Sequence, residues 1–162
     1  MANLTEAFPA PSHDHRVCIG RGLAAAERIC ARESARLTPD RRQVLEILLR
    51  GHAALGAYDI IERMDWGDRK RASSVVYRAL EFLSDQGLVH KLHSRNAFIA
   101  CAHPESVHGT QFLICTQCQV IAEIAHAKVD RALIQAADQA GFVLQRPMIE
   151  VEGLCPHCAA KA

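Results

Sequence analysis

Residues His90 to Cys118 read HKLHSRNAFIACAHPESVHGTQFLICTQC and end in a C-x-x-C pair, Cys115 and Cys118. A second pair follows near the end of the chain, Cys155-Pro156-His157-Cys158. Two such pairs supply four thiolates, the number that a closed tetrahedral zinc site requires, and two intervening residues let a tight turn aim both sulfurs at one ion. Cys115, Cys118, Cys155 and Cys158 are therefore read as the ligands of a structural zinc. Two local disulfides or a redox pair are the competing readings. The 36 residues between the pairs exceed the span of an ordinary zinc finger, so the second pair has to return to the first through intervening structure.

Working outward, the chain of 162 residues has room for one domain or two small ones. Its seven cysteines are an odd number, and the sequence shows neither a secretory apolar segment nor a run long enough to span a membrane. The expected compartment is the reducing cytoplasm, where paired thiols bind metal more often than they form disulfides. A thioredoxin-like pair should precede a helix inside a βαβ pattern, which neither pair does. Net charge is +1 but uneven: residues 1–100 carry 15 Lys and Arg against 12 Asp and Glu, residues 101–162 carry 4 against 6. That asymmetry suits a nucleic-acid-facing front half without requiring one. No nucleophile–base–orienter set and no phosphate loop is visible, which argues against an enzyme and against a small-molecule substrate.

Residues 1–20 read as a loose tail; His13, His15 and Cys18 lie in it and receive no assignment. Leu23, Ala26 and Cys30 place a helix over about 23–34 and make Cys30 a small buried apolar residue. Thr38-Pro39-Asp40 is a helix start with an N-cap hydroxyl, proline at the first helical position and an acid in the first turn. That helix should bury Val44, Leu45, Leu48 and Leu49. A short helix over 57–64 carries Tyr58 near its beginning. The basic loop Arg69-Lys70-Arg71 leads into a helix over 73–86 with Val76, Ala79, Leu80 and Leu83 inward and Ser74, Tyr77, Arg78 and Glu81 outward. Leu88-Val89 and Ala97–Ala100, joined by Ser94-Arg95-Asn96, give a β-hairpin. Helices followed by a hairpin match a winged helix-turn-helix whose last helix enters the major groove. Arg78 suits a bidentate contact with guanine, Tyr77 a thymine methyl or a phosphate, and Arg69, Lys70 and Arg71 suit phosphate attraction. A polar helix face beside a solvated charge run is the plainer alternative. Beyond about residues 101–109, strands over 111–115 and 120–124, a helix over 127–140 and a strand over 142–151 make a small α/β unit with open sheet edges. A second copy would cover such an edge.

The combination of RLTPDR at 36–41, AYD at 57–59, VYRAL at 76–80, GLVHK at 87–91 and the spaced CTQC and CPHC resembles the ferric uptake regulator (Fur) family, most closely its zinc uptake (Zur) branch. The likeness covers residues 23–158. The family's usual T-V-Y-R appears here as Val75-Val76-Tyr77-Arg78. The resemblance implies an α+β chain of two domains: a tail at 1–20, a winged-helix DNA-binding domain at 21–100, a hinge at 101–109 and a dimerisation and zinc-binding domain at 110–162. It implies DNA contacts from Tyr58, Arg69, Lys70, Arg71, Ser74, Tyr77 and Arg78. It also implies a second, regulatory zinc on His90, Cys101, His108 and Glu123, hence about two zinc ions per chain. The expected protein is a homodimer that, when zinc-loaded, binds a palindromic operator in double-stranded DNA and represses zinc uptake genes. Ligands drawn from both halves would let one ion set the spacing of the two reading helices. An iron or peroxide sensor of the same family is the nearer alternative, and a zinc–thiol redox protein the distant one. A third metal drawing on His103 or His126 is a further option in such proteins, and His157 is expected to face solvent.

Overall fold

The computed structural model describes residues 7–10, 12–106, 110–145 and 147–161. They fall into two compact units, one within Ala10–Ser106 and one formed by residues 7–9 with the described part of Val107–Ala162.

The first unit begins with α1 (His15–Arg32). Sequence periodicity starts this helix at Leu23, after a tail over residues 1–20; the helix begins at His15, within that expected tail. Gly20 and Gly22 interrupt the apolar pattern and are poor helix formers, whereas Asp14 caps the start by accepting from the Arg16 backbone N–H at 2.9 Å. Gly22 has a packing reason: a Cβ there would stand 2.6 Å from both Leu49 methyl carbons. Glycine lets α1 approach the end of α2 (Pro39–Leu49) without displacing the Leu49 side chain. Thr38 caps α2 with Pro39 in its first turn, as the sequence requires. Next come α3 (Ala57–Arg63) and α4 (Ser73–Asp85). Val44, Leu45 and Leu48 of α2 and Val76, Leu80 and Leu83 of α4 form the centre of the core, each essentially inaccessible to water. Gly87, with φ +68°, ends α4: its N–H donates to the Ser84 carbonyl, and the Leu88 N–H donates to the Leu83 carbonyl at 2.8 Å. The hairpin follows as β1 (Val89–Leu92) and β2 (Ala97–Ala100), antiparallel with His90 opposite Ile99. Leu55 adds a bridge to Phe98, exchanging backbone hydrogen bonds of 2.9 and 2.8 Å, so the wing is anchored to the loop between α2 and α3.

The second unit is a three-stranded sheet in the order β4-β3-β5, from β3 (Thr110–Cys115), β4 (Ile121–Ile124) and β5 (Met148–Gly153), with α5 (Ala127–Gln139) between β4 and β5 and the short α6 (Pro156–Ala159) after them. β3 pairs antiparallel with β4 and parallel with β5. Phe112 and Ile114 are fully buried, and buried Gln111 donates through its side-chain amide to Asp130 Oδ1 at 2.7 Å, fastening β3 to α5. The last strand is shorter than its apolar sequence suggests. It starts at Met148, not Phe142, because Gly141 (φ +66°) turns the chain out of α5 and Pro147 brings no N–H to a ladder. Phe142 and Val143 are left 64% and 81% exposed.

The core of the first unit should behave as a packed jigsaw. Truncating Leu80, which is 1% exposed, to alanine should lower stability by about 2–5 kcal/mol. Urea unfolding followed by circular dichroism would read this as a lower midpoint at unchanged slope.

Candidate metal centres and nucleic-acid interface

The four-cysteine site follows from strand register. In the β3–β5 pair Cys115 stands opposite Gly153, and the Thr116 N–H donates to the Gly153 carbonyl at 2.9 Å. That brings Cys155, the N-cap of α6, and Cys158, in its first turns, beside the Cys115–Cys118 turn. The turn closes through Gln119 at φ +64° and the Cys115 N–H donating to the Val120 carbonyl at 2.9 Å. The four sulfurs lie within 4.8 Å of one another, and Phe8 and Val120 pack beside them. All four thiols are free, and Cys118 and Cys155 stand 3.7 Å apart, well beyond the roughly 2.05 Å of a disulfide bond. Backbone N–H groups of Cys118 and then Cys155 hold the Cys115 thiol down to about 6, whereas burial pushes Cys158 up to about 12. Such a cage of mixed thiol and thiolate fits a soft divalent ion, whose binding would displace the remaining protons. His157 is exposed, as its place between two inward cysteines demands.

Of the regulatory set, His90 on β1 and buried Cys101, one residue past β2, offer ligand atoms within 4.8 Å of each other. The Cys101 N–H donates to the Leu88 carbonyl at 2.9 Å, which fixes the thiol next to the start of β1. Glu123 lies on β4 opposite Phe112 in the other unit. His108 lies outside the described residues.

On α4, Val76, Ala79, Leu80 and Leu83 point inward, while Ser74, Tyr77 and Arg78 are exposed, Tyr77 by 48%. Arg78 donates through Nε to the Ser74 carbonyl at 3.2 Å, which steadies the guanidinium along the helix. Tyr58 on α3 is 75% exposed. The basic loop is less uniform than its sequence. Lys70 and Arg71 are exposed, but Arg69 forks onto Asp40 at the start of α2 with contacts of 2.9 and 3.3 Å.

A further group had no sequence signal that linked its members. His13, His15 and Cys18 at the start of α1 meet His52, which follows α2. The pattern H-x-H-x-x-C is visible in the chain, but its fourth member is 34 residues beyond Cys18. Burial, then the neighbouring His13 and His15, hold His52 down to about 4, leaving that ring neutral.

Among the described residues no helix is long and apolar enough to cross a membrane. The model of the Ferric uptake regulator family matches residues 32–152. The chain is 36% identical over 137 residues to the zinc uptake regulation protein of Escherichia coli K12, covering 84% of this chain and 80% of that one. Among solved structures, a zinc uptake regulator complexed with zinc and DNA superposes with a TM-score of 0.81 at 34% identity, over 88% of this chain and 96% of its own. The crystal structure of holo XcZur gives 0.77 at 40% identity, over 85% and 96%. Motifs, fold and these likenesses agree, and the chain belongs to the ferric uptake regulator family.

Proposed function

We propose that this chain is a zinc-responsive transcriptional repressor of zinc uptake genes, cytoplasmic and without catalytic activity, which binds a palindromic operator as a homodimer when its regulatory zinc is in place. The observation that carries this reading is the fold match to a regulator solved with both zinc and DNA. Zinc supplies a redox-silent tetrahedral centre that holds its ligands in one fixed arrangement.

The residues divide the work. Cys115, Cys118, Cys155 and Cys158 hold the structural ion and close the end of the β3–β5 pair. His90, Cys101, His108 and Glu123 are the regulatory donors: two imidazoles, a thiolate and a carboxylate form a zinc complement, and the thiolate disfavours iron, which would take more nitrogen and oxygen ligands. Tyr77 and Arg78 read base edges from α4, Ser74 and Tyr58 support them at the backbone, and Lys70 and Arg71 attract phosphate, with Arg69 shared with Asp40. Self-association is supported by the second unit, whose Ile134, Phe142, Val143 and Val151 stay exposed around a small core and whose β5 is an edge strand. Operator symmetry then mirrors the two-fold symmetry of the dimer.

In mobility shifts on operator DNA, chelation should weaken the parent roughly 5–150-fold, the usual range of effector coupling. His90→Ala and Cys101→Ser should remain folded dimers whose binding ignores both chelator and added zinc; a parent-like response in both would overturn the regulatory assignment. By contrast, Cys155→Ser should lose the zinc that survives chelation and sediment as a monomer in analytical ultracentrifugation. On the DNA side, Arg78→Ala should cost about 1–3 kcal/mol and relax preference at one base pair. Lys70→Ala should weaken all sequences alike and lower the salt slope by about 1, read by fluorescence anisotropy across a salt series.

A further inference from the structure

The His13, His15, Cys18 and His52 cluster lies wholly within the unit that carries α4, and neither zinc role described above uses it. We infer that these four residues form a third metal site, for zinc or a comparably thiophilic late transition ion, which fastens the start of α1 to the loop that follows α2.

The donor set is the first support. Three imidazoles and one thiolate make a tetrahedral zinc complement, and their ligand atoms all lie within 4.8 Å of one another. Local geometry is the second. His15 and Cys18 are three apart in the first turns of α1, so they share a helix face. His13, just before the N-cap, folds back until its ring centroid is 4.2 Å from that of His15 and 4.6 Å from that of His52. The nitrogens His13 Nε2 and His52 Nε2 face each other at 2.8 Å, with Cys18 Sγ 3.9 Å from the latter.

The surrounding hydrogen bonds favour ligation. His13 Nδ1 lies 2.8 Å from the Ala10 carbonyl, so it is the nitrogen that carries the proton and Nε2 is left with its lone pair pointing into the cluster. A backbone carbonyl on the outer nitrogen is the usual companion of a metal-bound histidine. Among the described residues His15 Nδ1 is buried with no hydrogen-bond partner, a costly state unless something satisfies the atom. Asp14, the acid between the two histidines, is turned away onto the Arg16 side chain and backbone, so it does not compete. Hydrogen bonding alone would leave three rings crowded at distances of 4.2–5.2 Å with His15 Nδ1 unmet among the described residues.

The site is distinct from the regulatory set, and its test does not pass through DNA binding. Full-length parent and the His13→Ala/His52→Ala double variant would be saturated with zinc, freed of excess by gel filtration and assayed by elemental analysis. Three zinc ions per chain in the parent and one fewer in the variant is the expected result; equal content would overturn the site. Should the double variant lose more than one equivalent, Cys18→Ser decides, since it keeps every imidazole and changes one atom. Substituted with cobalt(II), it should lose the thiolate-to-metal charge-transfer intensity of a single sulfur, and a spectrum identical to the parent's would end the proposal.

Discussion

The parallel register of β3 with β5 is the constraint on which the second unit rests. It sets Cys115 opposite Gly153, and two thiol pairs separated by 36 residues become one cage. Shift that register by one residue and the strand would also turn Phe112 and Ile114 to the opposite face. The unit's own apolar centre is slight. α5 buries only Ala137 among its described side chains, and several large hydrophobics stay in water. Small domains with thin cores depend on metals or on partners for stability, and this one gathers four sulfurs within 4.8 Å of one another and leaves Phe142 and Val143 exposed.

The first unit is built on the opposite principle. Its stability comes from interlocking α2 and α4 around a dry apolar centre, with the wing fastened by the Leu55–Phe98 bridge. A rigid seat for α4 suits the reading role proposed for it, since contacts to base edges tolerate little misplacement. The left-handed turn at Gly87 carries the chain from α4 into the strand that bears His90. α4 ends at Asp85 and His90 stands on β1, so a fixed corner of four residues joins the two.

Much of this was legible in the sequence because local chemistry and tertiary packing agree. Thr38-Pro39 fixed the start of α2, the inward stripe of α4 was set by period, and the two C-x-x-C spacings named the cage before any strand was placed. The misreadings have physical causes. Gly20 and Gly22 mask the first turns of α1 by propensity, although Gly22 is there for close approach to Leu49. Phe142 and Val143 look like strand because they are apolar, but pairing needs a neighbour, and among the described residues the ladder begins with Thr110 opposite Met148. His52 was unreadable as a ligand, since a lone histidine in a loop gains meaning only from what folding brings beside it. The pairing of Arg69 with Asp40 was hidden for the same reason, with 28 residues between them.

That ion pair changes how the basic loop meets a polyanion. Asp40 already engages two nitrogens of the Arg69 guanidinium, so part of that cation's field is cancelled locally and a passing phosphate meets less net charge there than the sequence suggests. Random duplex thus feels a weaker pull than three consecutive cations suggest. A lowered background of indiscriminate attachment leaves more of the protein free to search for specific sites.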